Sequence, residues 1–343
     1  MPRTIDYSAL TSAVTPAEIA EFRERVRQRP EYNASGQVIA VVVLLIVLAL
    51  FGGFVLITVV GGIALIGSAA AQGSPAVLLS LIFPCGLVAL FVLLVVIAAR
   101  SVLGGRRWEL WLRFERFAER NNLVFSPSDA NPQYPGAIFG AGSSRTAIDH
   151  FRSADERFLD YGNYRYTTGS GKNRRTHSWG FLALALDRSL PHMVLDSLAN
   201  NGLFGTSLSG YDRKQVLSLE GDFNRYFTLY CPQEYERDAL YVFTPDLMAL
   251  LIDNAAPFDV EIIDTWMFVY SATPFDFSQP AVHHRLLSIV DTVGAKTLTQ
   301  TDRYVDVRVG DFTTNTVAPP GQRLTRRVPV ALIVIIAVIL VGP

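Results

Sequence analysis

The sequence predicts an α+β protein with an N-terminal transmembrane helical hairpin, a mixed and mainly antiparallel sheet domain, and a short C-terminal apolar segment. Two long runs without charge predict the hairpin. Short segments of period-two alternation, joined by connections too short for repeated parallel crossovers, predict the sheet. The expected organisation is a cytosolic N-terminal amphipathic helix region at 1–36, the hairpin at 37–100, a cytosolic α+β domain at 101–312, a linker at 313–327 and a third membrane segment at 328–343.

Residues 15–18 (TPAE) predict the start of the first helix. The threonine is a good N-cap, proline suits the first helical position, and the glutamate can complete a capping box. Pro30 is expected to end this helix. Ile19, Phe22 and Val26 fall on one face, so two locations stay open: the anionic inner leaflet of a membrane, or the surface of the soluble domain.

Two runs, 38–66 and 76–99, contain no charged residue, and each exceeds the ~20 residues that cross a bilayer as a helix. Glycine pairs in the first run and Pro84 with Gly86 in the second favour close helix contact, within a chain or between copies in a homo-oligomer. Arginines precede the first run and follow the second, whereas the loop 68–75 is uncharged. The positive-inside rule therefore predicts a multi-pass cell-membrane protein with its main domain in the cytoplasm.

The C-terminal run 328–342 follows Arg323, Arg326 and Arg327 and is also free of charge. As a helix it reaches only about 22 Å, so it could span thinned bilayer, dip in as an anchor, or be the stump of a longer segment. Its many β-branched residues would also suit a buried strand. Membrane insertion is the favoured interpretation, because an apolar surface of this size otherwise has no partner.

The middle of the chain predicts alternating elements. A helix is expected at 106–121, with Trp108 and Trp111 as interfacial anchors, and a loop rich in proline and glycine at 126–142. Further helices are expected at 244–253 and 280–293. Strands are expected around Tyr164 and Tyr166, before a turn at 169–173, and then at 179–186, 216–219, 226–231, 239–243, 260–263 and 266–270.

The turn at 169–173 is the main candidate for binding. It resembles a phosphate-binding loop only in part, because Tyr166 and Asn173 occupy positions where that motif needs glycine and a hydroxyl residue. Its positive charge instead predicts contact with anionic lipid headgroups or a membrane protein partner, although a merely solvated tip is the alternative. The candidate binding residues are Lys172, Arg174, Arg175 and Trp179, with Tyr164 and Tyr166 beside them unless these aromatic rings fill the core.

An enzymatic function is the alternative hypothesis. A membrane-bound hydrolase or transferase would use acids such as Glu220, Asp222 and Asp246, provided that they converge in one pocket. The five histidines lack the four-residue spacing of a zinc protease, so no metal and no cofactor are predicted. The formal net charge of −1 indicates no nucleic-acid partner. The preferred prediction is a non-enzymatic, membrane-tethered interaction or regulatory module.

Long stretches of the domain are similar to a family of uncharacterised actinobacterial membrane proteins. They are DYGNYRYTTGSGKNRRTHSWGFLAL from Asp160, LPHMVLDS from Leu190, NNGLFGT from Asn200 and LSLEGDFNRYFTLYCPQEYERDALYVFTPDLMALLID from Leu217. Within the last stretch, EGDFxxxF and YVFTPDLM more weakly resemble a broader bacterial domain of unknown function. The resemblance implies a membrane-tethered bacterial protein at the inner membrane, and it carries over no catalytic residues.

Overall fold

The computed structural model describes most of the chain outside the two N-terminal apolar runs. The described residues are 4–32, 106–154, 157–200, 210–311 and 313–326, with isolated positions at 46, 51–54, 57, 61, 86, 88, 89, 91–93, 95 and 96. They form two compact units: Val14–Leu112, and a larger unit of Met1–Ala13 with Arg113–Pro343. The first thirteen residues therefore group with the larger unit, whereas residues 14–36 of the predicted N-terminal region group with the smaller one.

The helices and strands are numbered in chain order. The helices are α1 (Ser8–Thr11), α2 (Pro16–Val26), α3 (Arg106–Arg120), α4 (Glu236–Val242), α5 (Pro245–Ala255), α6 (Pro280–Ile289), α7 (Ala295–Thr301) and α8 (Pro319–Gln322). A π-helical turn, Val290–Gly294, joins α6 to α7. The strands are β1 (Leu123–Ala130), β2 (Ser143–Ser153), β3 (Leu159–Thr168), β4 (Arg175–Ser197), β5 (Val216–Leu217), β6 (Phe227–Tyr230) and β7 (Asp259–Ser271).

The smaller unit confirms the predicted capping box at the start of α2. The Thr15 amide donates to the Glu18 carboxylate at 2.7 Å, and the Glu18 amide donates back to the Thr15 hydroxyl at 3.3 Å. Phe22 on this helix is fully buried, with its ring centroid 6.3 Å from that of Trp108. The ring centroid of Trp108 in turn lies 5.1 Å from that of Trp111. The apolar face of α2 therefore packs against aromatic rings of its own unit.

The predicted membrane segments fall almost wholly outside the described residues. This holds for the runs 38–66 and 76–99 and for the C-terminal segment 328–343. Among the residues that the structure does describe, no helix has both the length and the apolar character needed to cross a bilayer.

The larger unit confirms the α+β class with a mainly antiparallel sheet. Its seven strands follow the order β1-β2-β3-β4-β6-β5, and β7 pairs with β4 off this path. Every strand pairing recorded is antiparallel. The central strand is β4, which has 23 residues. It pairs with β3 along its first half, with β6 at its last four residues and with β7 between Gly180 and Leu195.

Irregularities in the β4–β7 ladder bend the sheet. The register shifts between Ala185 and Leu190 and again before Met193, and Asp264 on β7 adopts a positive φ of 54°. Such bulges increase local twist and curvature. The bend brings the two ends of β7 together, because the Tyr270 hydroxyl donates to the carboxylate of Glu261 at 2.7 Å. The predicted strands 260–263 and 266–270 are thus one continuous, bent strand.

The segment between β1 and β2 inserts into this curved sheet. Ile138 and Phe139 are buried against Tyr164, Trp179 and other aromatic residues of β3, β4 and β7. Gly136 allows this approach, because a Cβ at that position would overlap the Tyr270 hydroxyl. The core of the domain therefore depends on a segment that the sequence predicts only as a loop.

Two predicted elements are wrong. Residues 239–242 belong to α4, with Phe243 as its C-cap. Ala239 and Val242 are buried on one helical face, while Leu240 is 52% exposed. Part of the predicted loop at 126–142 is strand β1, in which Pro127 is left out of the pairing with β2. Proline is tolerated there because β1 is an edge strand.

The predicted linker is also wrong for its described part, 313–326, which packs against the sheet. The Leu324 side chain is only 7% exposed, and its amide donates to the Nδ1 atom of His192 on β4 at 3.0 Å. Thr325 exchanges two hydrogen bonds with the side chain of Gln215, at 2.8 and 2.9 Å. Arg323 forms a bidentate ion pair with Asp264 at 2.8 and 2.9 Å. This stretch is an integral part of the domain.

Candidate functional site

The β3–β4 turn confirms the predicted turn at 169–173. Gly169 takes a positive φ of 73°, which glycine adopts without strain, and Gly171–Asn173 form a short 3₁₀ turn. The side chains of Lys172, Arg174 and Arg175 are exposed, and none forms an ion pair or hydrogen bond with the rest of the described chain. These three cations are called the basic hairpin tip below.

The aromatic residues proposed beside this turn are buried. Trp179 is 5% exposed and lies opposite Tyr164, which is fully buried, in the β3–β4 register. Tyr166 stacks on the ring of His177 with centroids 4.8 Å apart. Period-two alternation explains the outcome, since these side chains share the inward face of the hairpin. Trp179 therefore fills the core, the alternative that the sequence left open, and the exposed binding candidates at the turn are the three basic residues.

The acids of the enzymatic alternative do not converge. The side chain of Asp222 is 67% exposed and pairs with Arg225, whereas that of Asp246 is 79% exposed and pairs with Lys296. Glu220 is also exposed, and none of the three lines either of the two cavities described here. Acid–base chemistry needs two groups in one pocket, and neither cavity brings two of these three acids together.

A different group of polar side chains does converge, on a cavity of about 370 Å³ called the sheet cavity. His192 of β4 and Glu261 of β7 line it, with their side chains 2.8 Å apart. They lie on the same face of the sheet because the register pairs Val194 with Glu261. Both are buried, at 5% and 0% exposure. Tyr211 and Arg326 lie at the same cavity.

The hydrogen bonds fix the tautomer of His192. The amide of Leu324 donates to Nδ1, so this nitrogen must carry the lone pair. The proton of the neutral ring therefore sits on Nε2 and is donated to Glu261. Glu261 accepts two further bonds, from the Tyr270 hydroxyl at 2.7 Å and the Ala137 amide at 2.8 Å. Both nitrogens and both carboxylate oxygens are thus occupied within the protein.

Tyr270 remains a hydrogen-bond donor under ordinary conditions. Burial, followed by the neighbouring Glu261 carboxylate, holds the pKa of the Tyr270 hydroxyl well above its usual range. Burial likewise raises the pKa of Tyr211, to which Arg326 is hydrogen-bonded. The hydroxyl groups of Tyr270 and Tyr211 therefore keep their protons.

Two carboxylates meet one step further along the same face. The β4–β7 register ends at Leu195 opposite Val260, so the next pair is Asp196 opposite Asp259. Asp259 accepts bonds from the Ser197 amide and the Asn200 side chain, both at 2.8 Å. Oδ1 of Asp196 is buried and has no hydrogen-bond partner in the described chain. Burial raises the pKa of Asp196 to about 6, and burial together with the Asp196 charge raises that of Asp259 to about 7.

The His192–Glu261 pair and the aspartate pair were not singled out from the sequence. Their members are 69 and 63 positions apart in the chain, so only strand register reveals the contact. A partial signal was present: His192 and Asp196 interrupt an otherwise apolar strand in the stretch LPHMVLDS. Polar residues in such a strand need buried partners.

The described residues contain no group of three or more histidine, cysteine or acidic side chains arranged to hold a metal ion. Comparison of the chain with protein-family models, with curated proteins and with solved structures finds no match. The resemblance to an actinobacterial membrane family therefore stays a prediction.

Proposed function

We propose that this protein is a non-enzymatic interaction module tethered to the inner face of a bacterial membrane, where its basic hairpin tip contacts anionic lipid headgroups. The tether is the helical hairpin within 37–100, joined by the apolar segment 328–343, and the larger unit lies in the cytoplasm. The support for the tether comes from the sequence, in the two charge-free runs and the arginines that flank them. Oligomers formed through the glycine-containing runs belong to the same proposal.

The observation that carries the proposal is the contrast between two sets of charges. The charged and titratable groups at the sheet cavity are engaged in bonds inside the protein, as His192 and Glu261 demonstrate. Lys172, Arg174 and Arg175 are instead exposed and unpaired, within four positions of one another. Unpaired cations at the end of a rigid hairpin can bind an external anion without breaking an existing bond.

The contact between the basic hairpin tip and an anionic bilayer is expected to be weak, but strong enough to hold a tethered domain at the surface. A basic residue near an anionic bilayer contributes about 1 kcal/mol, so the three together contribute about 3 kcal/mol. A covalently attached membrane segment keeps the local concentration of headgroups high, so weak contacts are enough to hold the domain against the surface. Screening by salt should weaken this contact.

The test measures the distance between the hairpin tip and the bilayer in the full-length protein. A fluorophore is attached at Ser170→Cys, after Cys85→Ser removes one native thiol. Cys231 should stay unlabelled, because burial raises the pKa of its thiol to about 12. The protein is placed in nanodiscs with or without phosphatidylglycerol, and lipid-borne quenchers report the contact.

We expect stronger quenching in the phosphatidylglycerol discs, reversed by high salt and abolished by Lys172→Ala, Arg174→Ala and Arg175→Ala together. The matched control removes three other exposed cations, Arg213, Lys214 and Arg225, and should quench like the parent protein. Equal quenching in both kinds of disc, or full quenching in the variant that lacks the basic tip, would contradict the proposal.

A further inference from the structure

A second cavity, of about 440 Å³, lies on the larger unit between α4 and residues 303–308. It is called the arginine cavity, because Arg237, Arg303 and Arg308 all line it. Tyr241 and Tyr304 provide an aromatic wall, with ring centroids 6.0 Å apart. Its volume falls within the range typical of small-molecule sites in proteins.

One acid and one arginine at the base of this cavity are already neutralised. Asp238 accepts a hydrogen bond from the Tyr304 hydroxyl at 2.8 Å and forms an ion pair with Arg308 at 3.1 Å. Arg308 also pairs with Asp306 at 3.2 Å and lies 3.9 Å above the ring of Tyr235. These contacts hold the base of the cavity rigid, and they remove the repulsion that a free Asp238 would exert on an anion.

Two arginines at the rim lack such neutralisation. Arg237 forms no ion pair or hydrogen bond within the described chain, and it is exposed. The side chain of Arg303 is 91% exposed and has only a 4.0 Å contact with its neighbour Asp302. Guanidinium groups bind carboxylate and phosphate oxygens with paired hydrogen bonds. The rim therefore offers two cations to one incoming anion.

Apolar surface accompanies these cations. Val307 is 68% exposed and Tyr241 is 40% exposed, although both line the cavity. Ligand pockets are lined largely by apolar and aromatic side chains, and these two offer contact area to the apolar part of a ligand. An anion without an apolar portion would leave this wall uncovered.

We propose that the arginine cavity binds a small soluble organic anion, whose phosphate or carboxylate group contacts Arg237 and Arg303 and whose apolar body packs against Tyr241, Tyr304 and Val307. This site is separate from the basic hairpin tip and makes no use of the membrane. A ligand held here would make the larger unit a sensor of a soluble compound as well as a membrane-bound module.

The test titrates the full-length protein in zwitterionic nanodiscs by calorimetry. Phenyl phosphate is the organic anion, phosphate ion is the simple anion, and benzyl alcohol is the neutral aromatic control. We expect saturable binding of phenyl phosphate, weaker binding of phosphate ion and no binding of benzyl alcohol. Saturable binding of benzyl alcohol with equal affinity, or no saturable binding of any anion, would overturn the proposal.

Variants separate the two parts of the site. Arg237→Ala and Arg303→Ala should each weaken phenyl phosphate binding by about tenfold, the effect of losing one charge-assisted hydrogen bond. Tyr241→Ala should lower the affinity for phenyl phosphate and leave the affinity for phosphate ion unchanged. Arg213→Ala, an exposed cation outside this cavity, is the matched control and should bind like the parent protein. Unchanged affinity in both rim-arginine variants would refute the assignment of the site.

A final comparison identifies the source of the anion. The phenyl phosphate titration is repeated in discs that contain phosphatidylglycerol. An unchanged affinity supports a soluble ligand. A lower affinity in these discs would show that the anionic lipid competes for the cavity. The cavity would then bind lipid headgroups, and the proposal of a soluble ligand would be overturned.

Discussion

The substitution Asp196→Asn tests the aspartate pair at the end of the β4–β7 ladder. Asp196 is 5% exposed and one of its oxygens is buried without a partner in the described chain. Burial raises its pKa from 3.8 to about 6, so folding favours the protonated form. The contribution of this group to stability is complete below pH 4 and is lost as the pH rises through 6.

The magnitude follows from the pKa difference. About two pH units separate the folded and unfolded values, and each corresponds to about 1.4 kcal/mol, so an ionised Asp196 costs about 3 kcal/mol at pH 8. Asparagine has nearly the same shape and cannot ionise. We therefore expect Asp196→Asn to leave the unfolding free energy unchanged at pH 4 and to raise it by up to about 3 kcal/mol at pH 8.

The assay is urea unfolding of the full-length protein in detergent micelles, followed by tryptophan fluorescence between pH 4 and pH 8. Asp253→Asn, at an exposed position on α5, controls for the change in net charge. A difference from the parent protein that stays constant across this pH range would refute the reasoning. So would a loss of stability at pH 8, because it would show that the ionised carboxylate is stabilised by its surroundings.

Three further predictions concern the buried network and the core. Glu261→Gln should lower the unfolding free energy by about 3 kcal/mol, measured by urea unfolding, because the new amide directs a donor at groups that donate to it. His192→Ala should speed hydrogen exchange in a peptide that contains the Leu324 amide, while exchange in α5 stays unchanged as a control. Trp179→Ala should cost about 4 kcal/mol in the same unfolding assay, and Trp179→Phe clearly less, whereas equal losses would contradict its role in the core.

Local pattern was sufficient for much of the fold. Alternation and turn chemistry around 160–186 predicted the β3–β4 hairpin, and the proline after Thr244 predicted the start of α5. Local pattern failed at 239–243, where a short apolar run fits a strand or a helix equally well. It also failed at β1, because Pro127 indicates a loop unless the strand is known to lie at an edge of the sheet.

The candidate sites also divide into one that local sequence predicts and others that depend on contacts distant in the chain. The basic hairpin tip was predictable, because its residues are neighbours in the chain and a turn must be exposed. The pairs His192–Glu261 and Asp196–Asp259 were not, because their contact depends on the register shifts within the β4–β7 ladder. A one-residue change of register would send these side chains to opposite faces of the sheet. Only a three-dimensional structure fixes that register.

The packing of residues 323–326 has a mechanical consequence. This stretch is hydrogen-bonded to the central strand through His192 and to the 3₁₀ turn before β5 through Gln215, and it forms an ion pair with Asp264 at the bulge of β7. Tension applied to the chain beyond residue 327 would therefore load several hydrogen bonds and an ion pair at once, instead of stretching a slack connector. The force would reach Glu261, which lines the sheet cavity, through the imidazole ring of His192. A force on the C-terminal tail would therefore act on the sheet cavity through His192, which lines that cavity and accepts a hydrogen bond from the Leu324 amide.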